Sequence, residues 1–182
     1  ILYFHNDPLS MNGSKDNSER IKLLNLCSKI VFNSQWSKDR FLSGIDEIYI
    51  KSTKLIVIRQ STDTQKVKIN KKEKIITFVG KLNRAKGYDV FGSAIVKILN
   101  RFKDWKAIVI GDEEREKITF NHKRLDIKGF KKHTDVIKIL KKTNIAVVCS
   151  RWQEPFGRTS LEASSCGCAV IITNRGGLPE TI

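Results

Sequence analysis

The sequence predicts an α/β protein with doubly wound parallel sheets, and three observations carry that prediction. Short runs rich in Ile, Val and Phe alternate with segments of helical spacing along the whole chain. The run at residues 75–79 ends in Gly80, at the strand-to-helix position where such sheets let a ligand approach the backbone. The chain has 182 residues, 40 % hydrophobic and 29 % charged, the balance of a folded domain rather than a disordered one.

Residues 1–4 (Ile-Leu-Tyr-Phe) read as a strand, followed by the polar turn His5-Asn6-Asp7-Pro8 and a Gly/Ser/Asn-rich loop. Residues 16–27 place Ile21, Leu23 and Leu24 at helical spacing. A buried strand at 30–32 precedes a helix opened by Ser34, a good capping residue, and 55–58 is again strand-like. Beyond it the alternation becomes regular, with strands at 75–79, 105–110, 125–127, 145–149 and 169–173. Helices are expected at 89–102, with Val90, Ala94, Ile98 and Leu99 inward, and at 134–142 and 158–166. Pro179 and Glu180 read as the opening of a last helix, because Pro is tolerated in a first turn and Glu suits its positive end. Charged, apolar-poor residues 65–74 read as a linker between a first domain at 1–64 and a second at 75–182. Neither end reads as a natural terminus, so the chain is expected to be an internal piece of a larger protein.

Composition narrows the function classes. No run has the length of a membrane-spanning helix, and no signal peptide is visible. The four cysteines sit in or beside apolar runs, and Cys166-Gly167-Cys168 lacks a second pair at zinc spacing, so buried thiols in a reducing compartment are expected. The net charge of +15 raises nucleic acid as a partner, yet no nucleic-acid-binding signature accompanies it. Lys131, Lys132, Lys138, Lys141 and Lys142 lie on a helix whose other face carries Val136, Ile137 and Leu140. Such a face can rest on anionic headgroups; the plain alternative is a solvated surface.

Two motifs carry chemistry. In Gly80-Lys81-Leu82-Asn83-Arg84-Ala85-Lys86-Gly87, cations beside a strand-to-helix turn can neutralise a diphosphate, aided by the helix N-terminus. This is neither a Walker loop nor a dinucleotide fingerprint, and the alternative is a solvated basic turn. In Glu154-Pro155-Phe156-Gly157-Arg158-Thr159-Ser160-Leu161-Glu162, one carboxylate precedes Pro and so projects from a loop, and the second lies inside the helix. Two carboxylates are good acceptors for the hydroxyls of a sugar and a ribose. The alternative makes them a surface helix residue and a helix-start charge.

In strand–Gly–Lys-Leu…Lys-Gly, Glu-Pro-Phe-Gly…Leu-Glu-Ala…Gly-Cys-Ala-Val and Asn-Arg-Gly-Gly-Leu-Pro-Glu, residues 75–182 resemble the donor-binding half of the family 4 retaining glycosyltransferases. Residues 29–38 resemble the last portion of that family's N-terminal domain. The resemblance implies a GT-B architecture of two Rossmann-like domains. It implies that Lys81 and Lys86 bind the nucleotide diphosphate beside Gly80, and that Glu162 holds the ribose. It implies that Glu154 contacts the donor sugar, that Phe156, Gly157, Arg158, Thr159 and Leu161 line the donor site, and that His5 approaches the transferred sugar. His122 and His133 match nothing in the family and are expected to face solvent. Lys81 departs from the family's usual Arg, keeping the charge without the bidentate fork.

The implied reaction is retaining transfer from a nucleotide-diphosphate sugar to a saccharide or lipid-linked acceptor, with no metal and no further cofactor. The implied setting is cell-envelope polysaccharide or lipopolysaccharide synthesis, in the cytoplasm or at the inner face of the membrane, with no specific nucleic-acid partner. An epimerase or phosphorylase on a similar scaffold and a non-catalytic nucleotide-binding module are the rival classes.

Overall fold

The structure is a computed structural model that describes residues 1–50, 54–67 and 72–182. It divides into two compact units. The first comprises Ile1–Ser61 with the segments Gln153–Gly157 and Arg175–Thr181; the second comprises Thr62–Trp152 and Arg158–Asn174, with Ile182.

In the first unit, β1 (Leu2–Phe4), β2 (Ile30–Phe32) and β3 (Leu55–Val57) form a parallel sheet in the order β1-β2-β3. The parallel pairing requires crossovers. Helix α1 (Asn17–Leu26) connects β1 to β2, and α2 (Gln35–Leu42) follows β2. The core is aromatic: Phe4 stacks on Phe32 with centroids 5.6 Å apart, and both rings meet Phe41 at 5.3 Å. As expected, Leu24 is buried and Ile21 and Leu23 are half-buried. The sequence pattern did not foretell that Arg20 is buried too. Its guanidinium donates to the carbonyls of Lys15 and Ser43 at 2.8 and 2.7 Å, so the charge enters the interior with partners.

In the second unit, β4 (Glu73–Val79), β5 (Lys106–Ile110), β6 (Leu125–Ile127), β7 (Thr143–Val148) and β8 (Ala169–Ile172) are all parallel, in the order β6-β5-β4-β7-β8. The first strand of the unit is thus central. The chain moves outward to β6 and returns through β7 on the other side, a doubly wound layout with its switch point beside β4. Helix α3 (Tyr88–Arg101) packs with Phe78, Ala107 and Val109, while α4 (His133–Lys142) and α5 (Arg158–Ser165) pack with Ile110 and Ala146.

Three expectations are corrected. The inward face of α3 is Tyr88, Phe91, Ile95 and Leu99; Val90 is 45 % exposed and Ala94 also faces out. Both stripes have helical spacing, and the stripe carrying two aromatic rings takes the core because it has more apolar area to bury. The last segment is a 3-10 turn, Leu178–Thr181, and Glu180 serves another helix. Its carboxylate accepts from the amides of Gln35 and Trp36, both at 2.8 Å, at the start of α2, and from Arg59 Nε at 3.2 Å. Within the expected linker, Glu73 and Lys74 belong to β4, and Lys72 Nζ donates to the carbonyls of Leu140 and Cys166 at 3.0 and 2.6 Å. Residues 68–71 of that linker lie outside the described residues.

Candidate functional site

The turn from β4 to α3 is fastened on all sides within the second unit. Gly80 N donates to the Ile110 carbonyl at 3.0 Å and Leu82 N to that of Asp112 at 3.3 Å. The Ala85 carbonyl accepts from the amides of Arg151 and Trp152 at 2.9 and 3.0 Å and from Ser150 Oγ at 3.1 Å, tying the turn to the segment after β7. Gly87 allows this proximity: at φ 74°, a Cβ there would lie 1.9 Å from the Cys149 carbonyl oxygen. The carboxyl ends of the neighbouring strands β4 and β7 are thereby joined at the switch point, where open α/β sheets place their ligands. Lys81 is exposed, Lys86 is half-buried, and both stand on this fixed backbone.

Helix α5 presents the second part of the arrangement. Glu162, which its motif leaves as either a ligand or a surface helix residue, is 9 % exposed. Its Oε1 lies 3.2 Å from His133 Nε2 and 3.4 Å from an Arg158 Nη. A carboxylate taken out of water requires such partners. Thr159 and Leu161 are half-buried beside it. His133 faces solvent as expected, its side chain 60 % exposed, and its Nε2 in addition meets Glu162. His122 is half-buried, and its Nδ1 accepts the Arg124 amide at 3.1 Å. No spacing rule relates His133 to Glu162, since the contact arises from the packing of α4 beside α5.

In the first unit, His5 follows β1 and is exposed. Its ring lies 4.2 Å from that of Tyr3, its Nδ1 is 3.4 Å from Gln60 Nε2, and its carbonyl accepts from Asn33 Nδ2 at 3.1 Å. Phe156 is buried, and Glu154 and Gly157 are half-buried in the same unit. Ser34 Oγ and Ser37 Oγ approach the Pro155 carbonyl at 2.5 and 3.3 Å, while Ser34 also caps α2 as expected. Gly176 lies against this strand of chain: at φ 60°, a Cβ there would sit 2.1 Å from the Glu154 carbonyl oxygen, and Gly177 N donates to that oxygen at 2.6 Å. The glycine pair thus permits close packing of the two segments. Glu154, Phe156 and Gly157 belong to the first unit, and Gly80, Lys81, Lys86, Arg158 and Glu162 to the second.

Asn83 and Glu113 escaped notice in the sequence. Asn83 lies inside the cationic turn and is buried, and Glu113 follows β5 with its side chain only 6 % exposed. Their bond to each other, 2.9 Å from Asn83 Nδ2 to Glu113 Oε2, spans thirty residues and leaves no local signal.

A parallel five-stranded sheet with a glycine-bounded cationic turn at its switch point defines a Rossmann-like fold. Comparison with known proteins makes the class specific. Residues 59–182 match the family model described as glycosyl transferases group 1, and the chain belongs to that family. It is 31 % identical over 123 residues to spore coat protein SA of Bacillus subtilis, covering 60 % of this chain and 33 % of that protein. It is 28 % identical over 158 residues to D-inositol 3-phosphate glycosyltransferase of Corynebacterium jeikeium, covering 79 % of this chain and 35 % of the relative. The chain thus spans about a third of the length of these curated relatives. Among solved structures, Anabaena Alr3699/HepE in complex with UDP and glucose aligns with a TM-score of 0.72 at 19 % identity, over 100 % of this chain and 54 % of that one. That likeness shows the GT-B fold.

Proposed function

We propose that the chain forms the nucleotide-sugar-binding part of a retaining glycosyltransferase. The enzyme moves a sugar from a nucleotide-diphosphate donor to a hydroxyl of a saccharide or lipid-linked acceptor in cell-envelope polysaccharide or lipopolysaccharide synthesis. The observation that carries this reading is the cationic turn fixed at the carboxyl ends of β4 and β7. Family membership and the UDP and glucose in complex with the Anabaena neighbour support it.

The barrier to transfer lies in charge separation, with an oxocarbenium-like sugar forming as negative charge gathers on the leaving diphosphate. In this reading Lys81 and Lys86 oppose that charge beside Gly80, held by the backbone before the reaction begins. Glu162 accepts from the ribose hydroxyls. Glu154 and the segment Phe156, Gly157, Arg158, Thr159 and Leu161 bind the donor, and His5 approaches the transferred sugar. The reaction uses no metal ion and no further cofactor, so turnover withstands EDTA.

The enzyme works in the cytoplasm, and any contact with the inner membrane is electrostatic. Val136, Ile137 and Leu140 of α4 are buried in the core, leaving the lysines rather than an apolar stripe to meet headgroups. No helix among the described residues is long and apolar enough to cross a membrane.

Incubating the full-length enzyme with a panel of UDP-, GDP- and ADP-sugars and candidate acceptors tests the proposal. Nucleoside diphosphate release and the product's anomeric coupling by NMR are the readouts. Acceptor-dependent release with retained configuration is expected; inversion, or no release from any donor, contradicts the reading.

A further inference from the structure

The loop after β5 is acidic, Asp112-Glu113-Glu114, and lies against the cationic turn. A cluster of carboxylates beside a diphosphate site is unfavourable through its field, so its presence there calls for a compensating role. The hydrogen bonds supply one. Glu113 Oε1 accepts from the Arg115 amide at 3.1 Å and from Arg115 Nε at 2.9 Å. Glu113 Oε2 accepts from an Arg115 Nη at 3.2 Å and from Asn83 Nδ2 at 2.9 Å. Asn83 passes the constraint on: its Oδ1 accepts the amide of Lys86 at 3.0 Å, and its carbonyl accepts the amide of Tyr88, the first residue of α3, at 3.1 Å. Both polar ends of a buried amide are thus satisfied, and the orientation of its plane is fixed by Glu113. The same loop steadies the turn twice more, through Asp112 O to Leu82 N at 3.3 Å and Glu116 Oε2 to Arg84 N at 3.0 Å.

We propose that Glu113 is a positioning residue for Lys86, acting through Asn83 and touching no ligand itself. The proposal rests on the reading of residues 80–87 as a diphosphate site. Hydrogen bonds from Arg115 and Asn83 hold the pKa of the Glu113 carboxyl at about 2, so the group is ionised throughout the physiological range.

The two effects of Glu113 have opposite signs, and this makes the test sharp. If it acted only through its charge, Glu113→Gln would remove a repulsion and tighten the binding of an anion. If it orients Asn83 and Lys86, the same change weakens binding. Inorganic pyrophosphate is a probe independent of the base, titrated calorimetrically into the full chain, Glu113→Gln, Lys86→Ala and the double variant, with thermal unfolding as the folding control. The expected result is a loss of about three- to tenfold in Glu113→Gln that disappears in the Lys86→Ala background. Should Glu113→Gln not fold, Glu113→Asp carries the same test, because it keeps the charge but draws it back from Asn83; the same loss is expected.

Unchanged or tighter binding in the folded variant, or an equal loss with and without Lys86, overturns the proposal alone. A wild-type chain that binds neither pyrophosphate nor any of UDP, GDP and ADP overturns the diphosphate reading and the proposal with it.

Discussion

Two regions of the second unit are rich in cations, and they are built in different ways. Residues 80–87 carry Lys81, Arg84 and Lys86 on a backbone gripped by β5, by the segment after β7 and by the buried side chain of Asn83. Residues 131–142 carry more lysines, but there the buried groups are Val136, Ile137 and Leu140, and the charges lie on the open side of α4. Lys138 pairs with Asp135 at 2.9 Å and Lys142 with Glu73 at 3.8 Å, surface pairs worth little. Charge density is therefore a poor guide to a site. A tethered backbone distinguishes the turn from the helix, and in the proposed reading cations carried on it oppose developing charge with little reorganisation.

The comparison breaks first at Gly87. Placing a side chain there means overlap with the Cys149 carbonyl and a left-handed backbone that L-residues avoid. Gly87→Ala is expected to cost at least about 2 kcal/mol of stability in urea denaturation, whereas Lys132→Ala, at an exposed position, stays within about 0.5 kcal/mol. If the two are equal, the turn is not the rigid element described.

Function should separate the regions next. Lys86→Ala is expected to lower kcat of the intact enzyme by roughly 10²–10³, about 3–4 kcal/mol of lost electrostatic stabilisation, while Lys138→Ala leaves kcat unchanged. Glu162→Gln removes a charged acceptor and should raise the donor KM about tenfold with little change in kcat. A kcat effect of equal size would move Glu162 from binding to chemistry.

The smallest expected effect is one of pH. Glu113 is depressed from the usual 4.5 to about 2, so its contribution to stability is complete above about pH 4.5 and disappears as pH falls through 2. Wild type should lose stability across that window more steeply than Glu113→Gln, measured as unfolding midpoints at fixed salt. Parallel curves would show that the Asn83–Glu113–Arg115 network does not survive in solution.

Much of the fold was legible in the sequence because strands and helices announce themselves by period. The runs at 75–79 and 125–127 fall where β4 and β6 do, and the Ser34 cap follows from local chemistry. The face of α3 was not legible, because two stripes of equal period competed and only the aromatic content of one decided between them. Lys81, Lys86 and Glu162 could be singled out from their motifs, since glycine turns and paired carboxylates leave a local trace. Asn83, Glu113 and His133 could not, because their partners lie about thirty residues away across the sheet or on the next helix. Glu180 reads locally as part of its own helix, whereas the acceptor-hungry amides it satisfies belong to α2, a pairing across 145 residues.

Calorimetric titration of UDP, GDP and ADP into the full-length enzyme and its Lys86→Ala variant bears most directly on the claim that the cationic turn is a diphosphate site. At least one nucleotide should bind the wild type and lose about tenfold or more in affinity on removal of the Lys86 ammonium. Binding of equal strength in both proteins, or none in the wild type, would contradict it.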